Sequence, residues 1–168
     1  QKLRGLVYYF TRDFQRAAIE SEKAVDMARA LGLTYEVGVN LHNVGDVLIR
    51  LDDHARAYGA LQQSLALCDE FGFERLASHN RMLLAYLAGL KGDAEAEKLL
   101  SAGVRYAEAN EFMWDVISGR YFLAQLAIKR GGDRDKAKKE IEALRDMARS
   151  AGHMLVAEDC EEALLTLG

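Results

Sequence analysis

A period of about forty residues organises this chain. Four segments share the pattern of alanine, three residues, then a small or apolar side chain: Ala17-x3-Ser21, Ala57-x3-Leu61, Ala96-x3-Leu100 and Ala137-x3-Ile141. The spacings are 57 − 17 = 40, 96 − 57 = 39 and 137 − 96 = 41. Equal offsets along each segment keep the register. Ala24, Ser64, Gly103 and Leu144 fall in one column; Ala28, Cys68, Ala107 and Ala148 in a second. Gly32, Gly72, Glu111 and Gly152 form a third, and Gly5, Gly45, Ala85 and Ala124 precede the turns. A period of this length is the mark of a helical repeat, in which each unit buries its apolar face only against its neighbours.

Each unit reads as two helices. The first runs over about Tyr35–Leu51, Arg75–Leu90 and Trp114–Arg130 in units two to four. The second starts near Phe14, His54, Ala94 and Arg134 and stops near Gly32, Gly72, Asn110-Glu111 and Gly152. Asp13, Asp53, Asp93 and Asp133 end the intervening turns, where a helix N-cap is needed. Glycine past a helix end supplies the left-handed stop, and Asn110 is expected to do so in the third unit. A single closing helix covers Leu155–Leu167. The units are about 1–33, 34–73, 74–112 and 113–153, with closing segment 154–168, in one contiguous array. Proline is absent from all 168 residues, against an average usage of about 5%. That favours long helices over loop-rich or all-β folds. The small columns let helices cross closely, and Leu61, Leu65, Leu100 and Leu144 fill the space between units.

At these columns the sequence resembles tetratricopeptide (TPR) repeats, in the longer, roughly 40-residue form found in bacterial signalling proteins. Gly45 with Ala57, Leu61 and Ser64, and Ala85 with Ala96, Leu100 and Gly103, match the family's small and large positions. The departures are the missing proline after the second helix, and Leu41, Arg81 and Arg120 where an aromatic is usual. The resemblance implies an all-α, α-α superhelix, a solenoid of stacked antiparallel helix pairs. It also implies a protein- or peptide-binding concave face lined by the first helices. By register that face holds His42, Asn43, Asp46 and Arg50, then His79, Met82, Leu83, Tyr86 and Leu90, then Tyr121, Phe122, Gln125 and Lys129. Only Asn43 matches the carboxylate clamp of chaperone-binding members, so chaperone tails are not the expected ligand. Gly5 occupies the place of Gly45, so the first helix is expected to lack its beginning and the parent protein to extend upstream. Tyr8, Tyr9 and Phe10 make that end a surface for self-association.

The chemistry-bearing residues point away from catalysis. No phosphate loop, GxSxG, HExxH or dinucleotide fingerprint is present. His42 and Asp46 have metal-like spacing without a third ligand, and Asp52-Asp53-His54 falls at a turn where capping accounts for the aspartates. Cys68 lies in a small-residue column and Cys160 among acids that raise its pKa; with no CxxC they predict inert thiols in a cytoplasmic protein. The basic helix after Asp133 is interleaved with acids and reads as a solvated face with i, i+4 pairs. Trp114, Tyr121 and Phe122 read as core before recognition. A net charge of −4 disfavours nucleic acid, and no apolar run reaches the roughly 18 residues of a membrane span. The expectation is a non-enzymatic interaction module without metal or cofactor. The second reading is a sensor domain that controls an attached kinase, ATPase or DNA-binding domain.

Overall fold

The computed structural model describes residues 2–168. The chain is all-α: nine helices and no strand occur among the described residues. They are α1 (Lys2–Phe10), α2 (Phe14–Ala30), α3 (Thr34–Arg50), α4 (His54–Phe71), α5 (Glu74–Leu90), α6 (Ala96–Ala109), α7 (Met113–Lys129), α8 (Arg134–Ser150) and α9 (Met154–Leu167). None is long and apolar enough to cross a membrane. Two compact units form, Gln1–Leu84 and Ala85–Gly168, with the boundary inside α5. In the first, α1 packs on α2, α2 on α3 and α3 on α4; in the second, α6 packs on α7, α7 on α8 and α8 on α9. Sequence neighbours joined by tight turns therefore also pack together, as a helical repeat requires.

Asp13, Asp53 and Asp133 cap α2, α4 and α8, accepting from the backbone N–H groups of Arg16, Arg56 and Lys136 at 3.2, 3.3 and 3.0 Å. The third turn departs from this. Asp93 accepts from Glu95 N–H at 2.9 Å, only two residues on, and α6 begins at Ala96 rather than at Ala94. Asx geometry there replaces the first helical turn. The left-handed stop after α6 is Glu111, with φ 59°, and not Asn110. The register with Gly32, Gly72 and Gly152 decides this: those residues have φ of 67°, 74° and 71°. Asn110 instead donates its side-chain amide to the Tyr106 carbonyl at 2.8 Å.

Ala57, Leu61, Ala96, Leu100 and Ile141 are completely buried. Each large member contributes about 1.5–3 kcal/mol by leaving water. The small columns mark close approaches. A Cβ on Gly45 would lie 2.5 Å from Leu61 Cγ, so α3 meets α4 where no side chain fits. Gly89 does the same against Leu126 in the second unit, at 2.7 Å. Aromatic contacts repeat as well. Tyr35 on α3 meets Phe73 edge-on at 5.0 Å, and Trp114 on α7 stacks on His153 at 4.5 Å. Trp114 also donates its indole N–H to the Ala151 carbonyl at 3.2 Å, so it fixes the start of α9. On α8 the charged face is exposed, but its pairing is Arg145 with adjacent Asp146 at 2.9 Å and Arg149 with Glu161 on α9, not i, i+4.

Candidate functional site

The helices expected to carry a binding face differ in chemistry between the two units. In the first unit the surface is polar. Asp46 on α3 accepts the Tyr9 hydroxyl hydrogen of α1 and lies 3.8 Å from Arg50 Nε. The Arg50 guanidinium sits over the rings of Tyr9 and Phe14, at 5.3 and 5.5 Å. Burial pushes the Asp46 carboxyl up, but the Arg50 charge and the Tyr9 hydrogen bond outweigh it and hold the group below its ordinary value. Burial first, and Asp46 second, push the Tyr9 hydroxyl well above its ordinary value, so it remains a hydrogen-bond donor.

One turn away, His42 meets His79 of α5, with ring centroids 4.4 Å apart and the rings tilted by 50°. Beneath them runs a buried hydrogen-bonded chain. Ser64 donates to the Gly38 carbonyl at 2.7 Å, and Asn80 donates to Ser64 Oγ at 2.8 Å and to Cys68 Sγ at 3.7 Å. With its amide nitrogen so engaged, Asn80 presents its oxygen to His42 Nδ1 at 2.9 Å. An amide oxygen only accepts, so His42 carries its proton on Nδ1. The chain thereby fixes both the tautomer and the orientation of the imidazole.

In the second unit the corresponding positions hold aromatic side chains that pack on one another. Tyr86 meets Phe122 at 4.8 Å, and Tyr121 meets Phe122 at 5.8 Å.

Thirteen residues were expected on a partner-facing surface, and burial divides them. Met82 and Leu83 are each 1% exposed, and Tyr86, Phe122 and His42 are buried too. These five pack inside the chain. Apolar groups at helical spacing found a partner within the array, which is the commoner fate of such a stripe. Asn43, Asp46, Arg50, His79, Leu90, Tyr121 and Gln125 are partly exposed, and Lys129 is exposed. Asn80, fully buried at the centre of the seam, is absent from the sequence-derived set. A signal for it exists. Asn40 lies one period earlier and donates to the Ala24 carbonyl at 3.4 Å, the column that holds Ser64 one period later.

Both cysteines are free and buried. Burial is the main cause that pushes the Cys68 thiol up. The Cys160 thiol is pushed up to about 12, by burial ahead of its neighbour Asp159; the acidic sequence context is the smaller cause. Asp53 is engaged in capping and His54 Nε2 lies 3.5 Å from Asp52 at the exposed turn. Among the described residues no group of three or more His, Cys, Asp and Glu is placed to hold a metal ion.

Two grooves lie between helices at equivalent places. The first, about 440 Å³, is formed by α2, α3 and α4 with Val37, Leu41 and Leu67 in its lining. The second, about 400 Å³, is formed by α6, α7 and α8 with Val116, Arg120 and Met147. No protein-family profile matches the chain, and no curated protein matches it.

Proposed function

We propose that this chain is a non-catalytic interaction module of tetratricopeptide type. It binds a protein or peptide segment on the partly exposed residues of its first helices, taken within each unit by itself: α3 and the start of α5 in the first, α7 in the second. The observation that carries this reading is the locked and partly exposed polar row of the first unit. Asp46 and Arg50 retain side-chain exposures of 16% and 11% while Tyr9 fixes them from beneath. Polar groups already held in one geometry lose little conformational freedom when a partner arrives, and that favours recognition. Asn43 and His79 are the other partly exposed candidates of the first unit, and Tyr121, Gln125 and Lys129 are the separate candidates within the second. The titratable groups of the seam are occupied in structural hydrogen bonds, and both thiols are held protonated. Their roles are those of a scaffold. Two free buried thiols also fit a reducing compartment such as the cytoplasm.

The experiment is affinity capture with the tagged chain, compared with its Asn43→Arg and Gln125→Arg variants. Both positions are partly exposed, so both variants are expected to fold. Loss of specific partners by either variant is the expected result. Equal recovery of every partner by both variants overturns the assignment of the face.

A further inference from the structure

The junctions between successive helix pairs repeat one ion pair, and at one junction it is missing. At each junction a residue late in one helix faces a residue twelve positions on in the next. Asp69 and Arg81 pair there at 2.5 Å, and Glu108 and Arg120 at 3.0 Å. Arg149 and Glu161 pair at the last junction with the charges exchanged. Forty residues before Asp69 and Arg81 stand Arg29 and Leu41. The cation is present and the carboxylate is not. Arg29 turns instead to a neutral amide, donating to Gln63 Oε1 at 3.0 Å, and has Asp26 only at 4.0 Å.

The first groove lies at that junction, as the second lies at the Glu108–Arg120 junction; what differs is the chemistry of the lining and not the size. Arg29 and Leu41 both line it, as Glu108 and Arg120 line the second groove. Where Arg120 reaches across to Glu108, Leu41 leaves an apolar floor with Val37 and Leu67. Ala66 continues that floor, Gln63 accepts from Arg29, and Glu70 also lines the groove. We propose that the groove between α2, α3 and α4 is a docking site for a peptide segment carrying an acidic residue beside an apolar side chain. Arg29 takes the acid, and Leu41, Val37 and Leu67 take the apolar group. The occupant supplies the carboxylate that the other three junctions hold internally. A charged acceptor in place of the Gln63 amide makes a stronger, charge-assisted bond with the guanidinium. Glu70 sets the polarity, because a carboxylate lodged beside it would be repelled. The site is separate from the partly exposed candidates of the first helices and does not depend on them.

The test uses three capped hexapeptides with central Glu-Leu, Lys-Leu and Glu-Ser pairs, titrated into the isotope-labelled protein. Amide shifts are read along the chain. The Glu-Leu peptide is expected to move amides of residues 29–41 and 63–70, and the other two to bind about tenfold more weakly or worse. Arg29→Glu alone is expected to reverse the preference towards Lys-Leu. The double variant Arg29→Glu with Leu41→Arg places at this junction the pair that Glu108 and Arg120 form, and because Leu41 is only 6% exposed the variant's amide spectrum is first compared with that of the parent to establish that it folds. It is expected to lose the Glu-Leu peptide while binding at the partly exposed candidates of the first helices is unchanged. Equal binding of the Glu-Leu and Lys-Leu peptides overturns the proposal. So does an unaltered affinity in the double variant, or the absence of shifts confined to the groove.

Discussion

The buried seam of the first unit and its counterpart in the second occupy the same columns of the repeat with opposite chemistry. Gly38, Ser64, Cys68 and Asn80 form a hydrogen-bonded chain. The residues 79 or 80 positions later are Ile117, Leu144, Ala148 and Cys160, which belong to one apolar cluster. Both versions are sealed: Ser64, Asn80, Ile117 and Cys160 are all completely buried. The repeat therefore fixes how closely helices approach, and leaves the polarity of the seam open. A complete polar network and a complete apolar core are both stable, whereas an orphaned polar group is costly.

Mixing the two chemistries gives the largest expected effect. Cys160→Asn places an amide among Ile117, Leu144 and Val156, and is expected to cost about 3 kcal/mol for a buried polar group without partners. Urea unfolding measures this, and a loss below about 1 kcal/mol would show that the second seam tolerates polarity after all. Asn80→Ala comes next. It removes the centre of the first seam, leaves His42 Nδ1 without its acceptor and leaves Ser64 Oγ without the Asn80 amide but still bonded to the Gly38 carbonyl, at an expected cost of about 2 kcal/mol. Hydrogen exchange read separately over residues 2–84 and 85–168 should place that loss in the first unit.

A third contrast is acid sensitivity. The folded state lowers the Asp46 pKa, so the stability it contributes is present above the unfolded value of about 4 and is lost as pH falls through the folded value. Gln125 occupies the Asp46 column in the second unit and does not titrate. Asp46→Asn should lower stability at pH 7 and flatten its fall at acid pH. Equal acid slopes in the variant and the parent would remove Asp46 from the account. The smallest effect belongs to the junction pairs. Arg120→Leu recreates the Leu41 arrangement in the second unit and should change stability by at most about 1 kcal/mol, because both partners are more than a third exposed. Its value is in ligand binding: a Glu108→Arg and Arg120→Leu double variant should acquire the acidic-peptide preference expected of the first groove.

The helices were legible in the sequence because their determinants are local and repeated. Alanine and glycine columns, capping aspartates and left-handed stops recur every forty residues, and each recurrence reports the same backbone requirement. The third turn was less legible because Asp93 has two ways to satisfy a backbone amide, and only its surroundings choose between them. The binding face was legible by position and not by exposure. Met82, Leu83, Tyr86 and Phe122 sit on the expected helices, yet side chains from neighbouring helices bury them, which no single-helix periodicity can reveal.

By itself the sequence determined the all-α repeat, its period, and the positions that must be small. Those follow from backbone geometry and from side-chain volume at fixed offsets. Tertiary structure alone decided that Ser64 and Asn80 complete a polar chain and that Arg29 faces Leu41 where a carboxylate pair stands elsewhere. It also decided which residues of a face remain in contact with water. Those outcomes depend on partners twelve to forty residues away. A hydrogen bond or an ion pair is specified only when both of its ends are in place.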